Sequence, residues 1–243
     1  MAPVCLVDLM DWYQSTYFGL LFFVICPVHA WFVARAYDPA QARRWYSRWW
    51  SIIVVSLTIL TLVIRSFFYE PFRISAASMA PSYNVGDYVV VKKTGYGSYG
   101  TFGLTFYNGP VDATVELKRG KVYVFYPPHK DIPYLKRLIG LPGDNLSIDG
   151  DKVQINAERL ETVKLYERDD YTVYRERVGA LAYRVKVAKT HPQDVIVKTV
   201  VPARHYFFLG DNRSNSSDSR FWGTVSSDRF IGEVVAVIYI QGP

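Results

Sequence analysis

Leu146-Ser147-Ile148-Asp149-Gly150-Asp151-Lys152-Val153-Gln154-Ile155 alternates apolar and polar side chains on either side of an Asp-Gly pair. A period of two puts alternate residues on one face of a strand, and Asp-Gly supplies the positive φ angles of a tight hairpin turn. The segment therefore reads as a β-hairpin. Moving outward, residues 87–93, 121–126, 134–139, 183–187, 195–201, 206–209 and 232–240 are short runs of β-branched and aromatic residues separated by glycine, proline and aspartate. Such punctuation is the signature of strands. The expected fold is mainly β: an antiparallel core, with residues of about 145–204 as a smaller inserted β lobe. The glycine- and aromatic-rich stretch 96–109 is expected to be a mobile loop, and no internal repeat is evident.

The N-terminal part has a different character. Residues 17–34 are almost wholly apolar, interrupted by Pro27 and His29, and residues 49–64 form a second apolar run extended by Ser66-Phe67-Phe68-Tyr69. Each approaches the ~20 residues that a membrane-spanning helix needs. A cleavable leader fits poorly, because Asp8 and Asp11 precede the first run and no lysine or arginine does. Two retained transmembrane helices are expected within residues 1–70, followed by an extracytoplasmic β domain over 71–243. Arg35, Arg43, Arg44 and Arg48 lie between the two runs; by the positive-inside rule that loop is cytoplasmic and everything after residue 70 faces outward. Trp45, Trp49 and Trp50 at one boundary, and Phe67, Phe68 and Tyr69 at the other, are the amphipathic rings expected at head-group level.

With 28 lysines and arginines against 22 acidic residues, the 243-residue chain carries a formal charge of +6. The basic residues are scattered and no nucleic-acid recognition motif accompanies them, so nucleic acid is not an expected partner; anionic lipid head groups account for the charge. Cys5 and Cys26 are the only cysteines, which leaves the β domain without a disulfide framework or a Cys-based zinc site.

Three polar segments carry candidate chemistry. Ser78 stands in Ile74-Ser75-Ala76-Ala77-Ser78-Met79-Ala80-Pro81, just beyond the second apolar run. Lys136 stands in Tyr134-Leu135-Lys136-Arg137-Leu138-Ile139-Gly140, where strand alternation sets Tyr134, Lys136 and Leu138 on one face. A lysine acting as a base at neutral pH needs its pKa lowered by ~3 units from the reference near 10.4, and burial among apolar neighbours does this by penalising the ammonium. Taken alone, each residue also fits a blander reading, Ser78 as a turn residue and Lys136 as a snorkelling surface lysine. The third segment, Gly210-Asp211-Asn212-Arg213-Ser214-Asn215-Ser216-Ser217-Asp218-Ser219-Arg220-Phe221-Trp222-Gly223, is rich in Asp, Asn and Ser. An EF-hand reading fails on Ser216 at its glycine position and on Trp222 at its glutamate position. A serine-histidine route through His129, His191 or His205 has no supporting motif.

Read in order, 65–72, Ser78-Met79-Ala80-Pro81, Gly86-Asp87, the Lys136 segment ending in Gly140-Leu141-Pro142-Gly143-Asp144, and the 210–223 segment resemble the successive boxes of the bacterial type I signal peptidases, serine-lysine enzymes that remove signal peptides from exported proteins. The resemblance implies Ser78 as nucleophile and Lys136 as general base, with Tyr134 and Ser216 positioning the lysine and Asp218 and Arg220 as a bracing ion pair. It implies shallow apolar pockets for small side chains, as in Ala-X-Ala, formed by Phe72, Ile74, Ala76, Met79, Tyr83 and Leu135. No cofactor or metal is implied. The implied partners are preproteins with signal peptides, the lipid bilayer and the secretion translocon, at the outer, periplasmic face of the plasma membrane. Three positions depart from the family pattern: Ala76 replaces a serine that serves the oxyanion in many relatives, Tyr83 replaces an aliphatic residue, and Ser214 replaces an aspartate. A dedicated maturation peptidase, such as one processing a conjugative pilin, and a weakly active membrane scaffold are the alternatives.

Overall fold

A computed structural model of the chain describes residues 28, 31, 32, 35, 49–190 and 195–239. Helix α1, Trp49–Val63, continues into a π-helical turn, Ile64–Phe68. Together they make 20 residues long and apolar enough to cross a membrane. The helix is apolar all round, and Ile52, Val54, Leu57, Ile59 and Leu60 are exposed, as expected of a segment whose solvent is lipid. The first expected anchor, 17–34, lies outside the described residues apart from Val28, Trp31 and Phe32, which are helical.

The rest is mainly β and antiparallel. Strand β1 is Tyr69–Arg73, β2 Tyr88–Lys92, β5 Val122–Phe125, β6 Tyr134–Gly140, β14 His205–Leu209, β15 Val225–Ser226 and β16 Phe230–Ile238. They form one sheet in the order β1-β2-β16-β5-β6-β14-β15. Between β6 and β14 the chain builds two further sheets. One has the order β13-β7-β8-β9 (β7 Asn145–Asp149, β8 Lys152–Ile155, β9 Glu158–Arg159, β13 Ile196–Val200), the other β10-β11-β12 (β10 Glu161–Glu167, β11 Tyr171–Val178, β12 Leu181–Ala188). The Asp-Gly hairpin is present, with Asp149 paired to Lys152 across the turn.

One expectation is overturned. Residues 96–109 are not a loop: β3 (Ser98–Thr101) pairs with β4 (Leu104–Asn108) around Phe102 and Gly103, both at positive φ. The glycines of the segment permit close backbone approach at Gly97 and Gly100. Strand β1 carries Pro71, which hides it from a propensity reading; as the outer strand of its sheet it tolerates a residue with no N–H.

Three buried clusters hold these layers. Ile139, Leu146, Ile148, Val185 and Phe207 join the main sheet to the smaller ones. Ile74, Met79, Val89, Val91 and Val124 pack between β1, β2 and β5. Tyr123, Phe125, Phe208 and Phe230 form an aromatic core, with Phe125 and Phe208 stacked at 4.2 Å between ring centroids.

Candidate active site

Strand β6 positions the lysine. Tyr134 and Leu138 turn toward the aromatic core while Leu135 and Ile139 belong to the other two clusters, so Lys136 is carried on the aromatic side. It is 3% exposed, its Nζ lies 5.5 Å from the Tyr134 ring centre, and it is hydrogen-bonded to Ser78 Oγ. Burial pulls the ammonium down to about 8, against the attraction of Asp218 and Asp211 and with a smaller push from Arg220. An amine of that kind is neutral in about one molecule in ten at pH 7, far more often than an ordinary lysine, and is already in contact with a hydroxyl whose proton it can accept.

Ser78 sits in the middle of a 3₁₀ turn, Ala77–Met79, entered from extended backbone at Ala76. Asn212 clamps this turn: its backbone N–H donates to the Ser78 carbonyl at 3.0 Å, and its Nδ2 donates to the Ala77 carbonyl at 3.1 Å. Gly210 lets the two segments meet. A side chain there would bring its Cβ within 2.1 Å of Ser216 Oγ and 2.6 Å of the Ser78 carbonyl oxygen. Gly210→Ala is therefore expected to displace the serine turn and cut turnover by about 10²-fold, the order of loss that a misplacement near 1 Å brings; steady-state kinetics on a peptide substrate would check it.

The loop that does the clamping is braced by three ion pairs. Asp218 receives Arg220 Nε at 2.8 Å and Nη2 at 2.9 Å, and also accepts the Gly210 N–H at 3.0 Å, with both side chains almost fully buried. Asp211 receives Arg137 at 2.7 and 2.5 Å. Arg213 binds Glu176 of β11 at 2.6 and 2.9 Å, tying the loop to the three-stranded sheet. Such bidentate, buried pairs hold direction as well as distance. Every acidic residue of the loop is thus committed to an arginine. Ser214, in place of an aspartate, accepts the Ala188 N–H at 2.9 Å and anchors the loop to β12.

The hydroxyl of Ser78 opens onto a cleft of about 650 Å³. Of the residues expected at the site, Phe72, Ile74, Ala76, Met79, Tyr134 and Leu135 line it alongside Ser78 and Lys136. Tyr83 does not; it is half-buried at the edge of the Ile74–Met79 cluster, with Arg137 and Asp211 as electrostatic neighbours. Ser216 Oγ is buried and makes no hydrogen bond with the described protein atoms, Lys136 included. His129 contacts the rings of Tyr134 and Trp222, and His205 bonds the Ala203 carbonyl. Neither is bonded to Ser78, and His191 and His29 lie outside the described residues.

Sequence reasoning missed the clamp and two of its braces. Asn212, Asp211, Arg137, Arg213 and Glu176 had no assigned task. The available signal was charge: Arg137 stands in the middle of an apolar strand and needs a partner if buried, whereas Glu176, between Arg175 and Arg177, gave no such sign.

Comparison with known proteins gives a consistent answer. The family model described as signal peptidase, peptidase S26 matches residues 46–239. A Signal peptidase I of Pseudomonas fluorescens is 35% identical over 196 residues, covering 73% of this chain and 67% of the relative. One from Pseudomonas aeruginosa is 34% identical over 195 residues, with the same coverages. One from Rickettsia prowazekii is 35% identical over 195 residues, covering 72% and 73%.

Proposed function

Since the chain belongs to the signal peptidase family, peptidase S26, we propose that it is a membrane-anchored endopeptidase that removes signal peptides after small residues, with Ser78 as nucleophile and Lys136 as its base. The observation that carries the reading is the buried, pKa-lowered Lys136 amine bonded to Ser78 Oγ. Neutral Lys136 takes the hydroxyl proton as Oγ attacks the carbonyl carbon, and the electron pair of the carbonyl moves to its oxygen. The charge that develops is stabilised by the Ser78 backbone N–H. When the intermediate collapses, the C–N bond breaks and the Lys136 ammonium protonates the departing amine. The resulting ester is hydrolysed by water, with Lys136 again as base.

Asn212 and Gly210 keep the serine turn in place, and Asp218, through Arg220 and the Gly210 N–H, keeps the loop in place. The cleft is walled by Phe72, Ile74, Ala76 and Leu135, an apolar lining that suits the small side chains of an Ala-X-Ala sequence. The apolar span Trp49–Phe68 and the arginine-rich stretch before it support an anchored enzyme whose β domain faces outward from the plasma membrane, the side on which exported preproteins emerge.

Purified full-length protein in detergent is expected to cut a test preprotein after Ala-X-Ala; no cleavage of any preprotein would defeat the reading. The departure at Ala76 keeps one second reading in play, a dedicated enzyme for a single substrate. A panel of unrelated preproteins separates the two.

Two results are expected of the active enzyme. The first concerns pH: kcat/KM should rise with pH through an inflection near 8, because only the neutral amine accepts the serine proton. A profile still climbing at pH 10 would mean that Lys136 is not the base. The second concerns the oxyanion. Ala76→Ser adds a hydroxyl two residues before Ser78 and is expected to raise kcat by up to ~10²-fold with little change in KM, since the charge appears only in the transition state. An unchanged kcat, with Ser75→Ala slowed instead, would assign the second donor to Ser75.

A further inference from the structure

Behind the cleft wall lies a buried ionic cluster that the proton transfers do not use. Glu70, 6% exposed on β1, accepts the Thr101 hydroxyl at 2.9 Å and Arg65 Nη2 at 3.3 Å on one oxygen, and Lys93 Nζ at 3.0 Å on the other. Lys93, 3% exposed, also donates to the Gly100 carbonyl, and Arg65 Nε donates to Thr101 Oγ1 at 3.2 Å. The Arg65 guanidinium lies 4.4 Å from the centre of the Phe102 ring, and Phe67 contacts Tyr99 with ring centroids 5.5 Å apart. One carboxylate thus joins four segments: the π-helical turn that ends the apolar span, strand β1, the end of β2 and the β3–β4 hairpin.

The backbone ladder already fixes β1 against β2, and a carboxylate holding three donors adds the π-helical turn and the β3–β4 hairpin to that register with a defined direction. The register matters because of what β1 carries. Glu70, Phe72 and Ile74 alternate onto the same buried side of the strand, and Phe72 and Ile74 are walls of the cleft. At about 3.3 Å per residue, Phe72 stands about 7 Å and Ile74 about 13 Å beyond Glu70. Phe72 also separates the cleft from a small cavity of about 120 Å³ that Glu70 and Lys93 line. The cleft wall is thus measured off from Glu70, which follows the end of the span at Phe68 and is tied back to it through Arg65.

We propose that the Glu70 cluster is a ruler: Glu70, with Arg65, Lys93 and Thr101, acts as a set of positioning residues that fix the height of the cleft relative to the end of the span. It thereby selects which bond, counted from the end of the substrate's own membrane-embedded apolar segment, reaches Ser78. This rests on the peptidase reading and on Trp49–Phe68 lying in the bilayer.

The test uses full-length protein in phosphatidylethanolamine–phosphatidylglycerol vesicles and two substrates. One is a preprotein with two successive Ala-X-Ala sites after its apolar segment; the other is a short soluble peptide with one such site and no apolar segment. Glu70→Gln, Thr101→Val and Arg65→Gln are compared with wild type by mass-spectrometric mapping of the cut and by kcat/KM on the peptide. The variants are expected to shift the ratio of the two preprotein cuts by about fivefold, the factor that one net hydrogen bond is worth, while peptide turnover stays close to wild type. An unchanged ratio in the folded variants would overturn the ruler. So would an equal loss on both substrates, which is what a merely structural brace produces. If Glu70→Gln fails to fold, Arg65→Gln carries the test, because its side chain is 25% exposed and closer to solvent. A wild type that cuts neither substrate would overturn the peptidase reading itself, and the ruler with it.

Discussion

Ser78→Ala and Lys136→Ala are each expected to lower turnover on the order of 10⁴-fold or more, and the double variant scarcely further, because nucleophile and base act as one unit. Single-turnover assays on a preprotein would measure it, and substantial activity in either variant would refute the serine-lysine mechanism. The lysine carries a second, thermodynamic signature. Its folded pKa of about 8 lies below the ordinary value of 10.5. Between these two pH values the unfolded chain holds a proton that the folded chain has released, so stability rises with pH across that window. Below pH 8 the cost of charging the buried amine is present in full. Lys136→Met should therefore raise the midpoint of thermal unfolding at pH 7 and flatten its dependence on pH between 8 and 10.5, while abolishing cleavage. Stability and activity would move in opposite directions, as expected where a site is strained for chemistry.

Asp218→Asn is the other change of large expected effect. It leaves the Arg220 guanidinium, whose side chain is 1% exposed, without its carboxylate, and it weakens the acceptor that holds the Gly210 N–H. Removing one partner of a buried pair typically costs about 3–5 kcal/mol, which urea unfolding would detect. The kinetics add a more specific readout. Asp218 is the strongest of the charges that hold the Lys136 pKa up. Neutralising it lets burial pull the amine lower still, so the acidic limb of the pH–rate profile should move to lower pH even as kcat falls. A destabilised variant with an unmoved limb would reduce Asp218 to a brace with no electrostatic reach to the lysine.

Local order was legible in the chain because it is written with short periods. Alternation in 146–155 with its Asp-Gly, the β-branched run at 87–93 and the all-round apolar run at 49–64 each specify an element without knowledge of any partner. The 96–109 hairpin escaped because its glycines read as loop punctuation, and β1 because of Pro71; in both cases sheet position overrode propensity. Ser78 and Lys136 each had a bland reading taken alone, and it was the resemblance carried by the successive boxes that singled them out.

What the linear order does not contain is the approach of residues 58 positions apart, at which the Lys136 amine meets the Ser78 hydroxyl. Nor does it contain the Arg137–Asp211 and Arg213–Glu176 pairs, 74 and 37 positions apart, that hold the clamp on the serine turn. The sequence by itself determined the strands, the apolar span and the residue types available for chemistry, because these follow from local pattern. Only the tertiary structure decided that Lys136 is buried and that Asn212 and Gly210 seat Ser78 against it. Desolvation and long-range ion pairing exist only once β6, the 3₁₀ turn and the 210–223 loop have packed together.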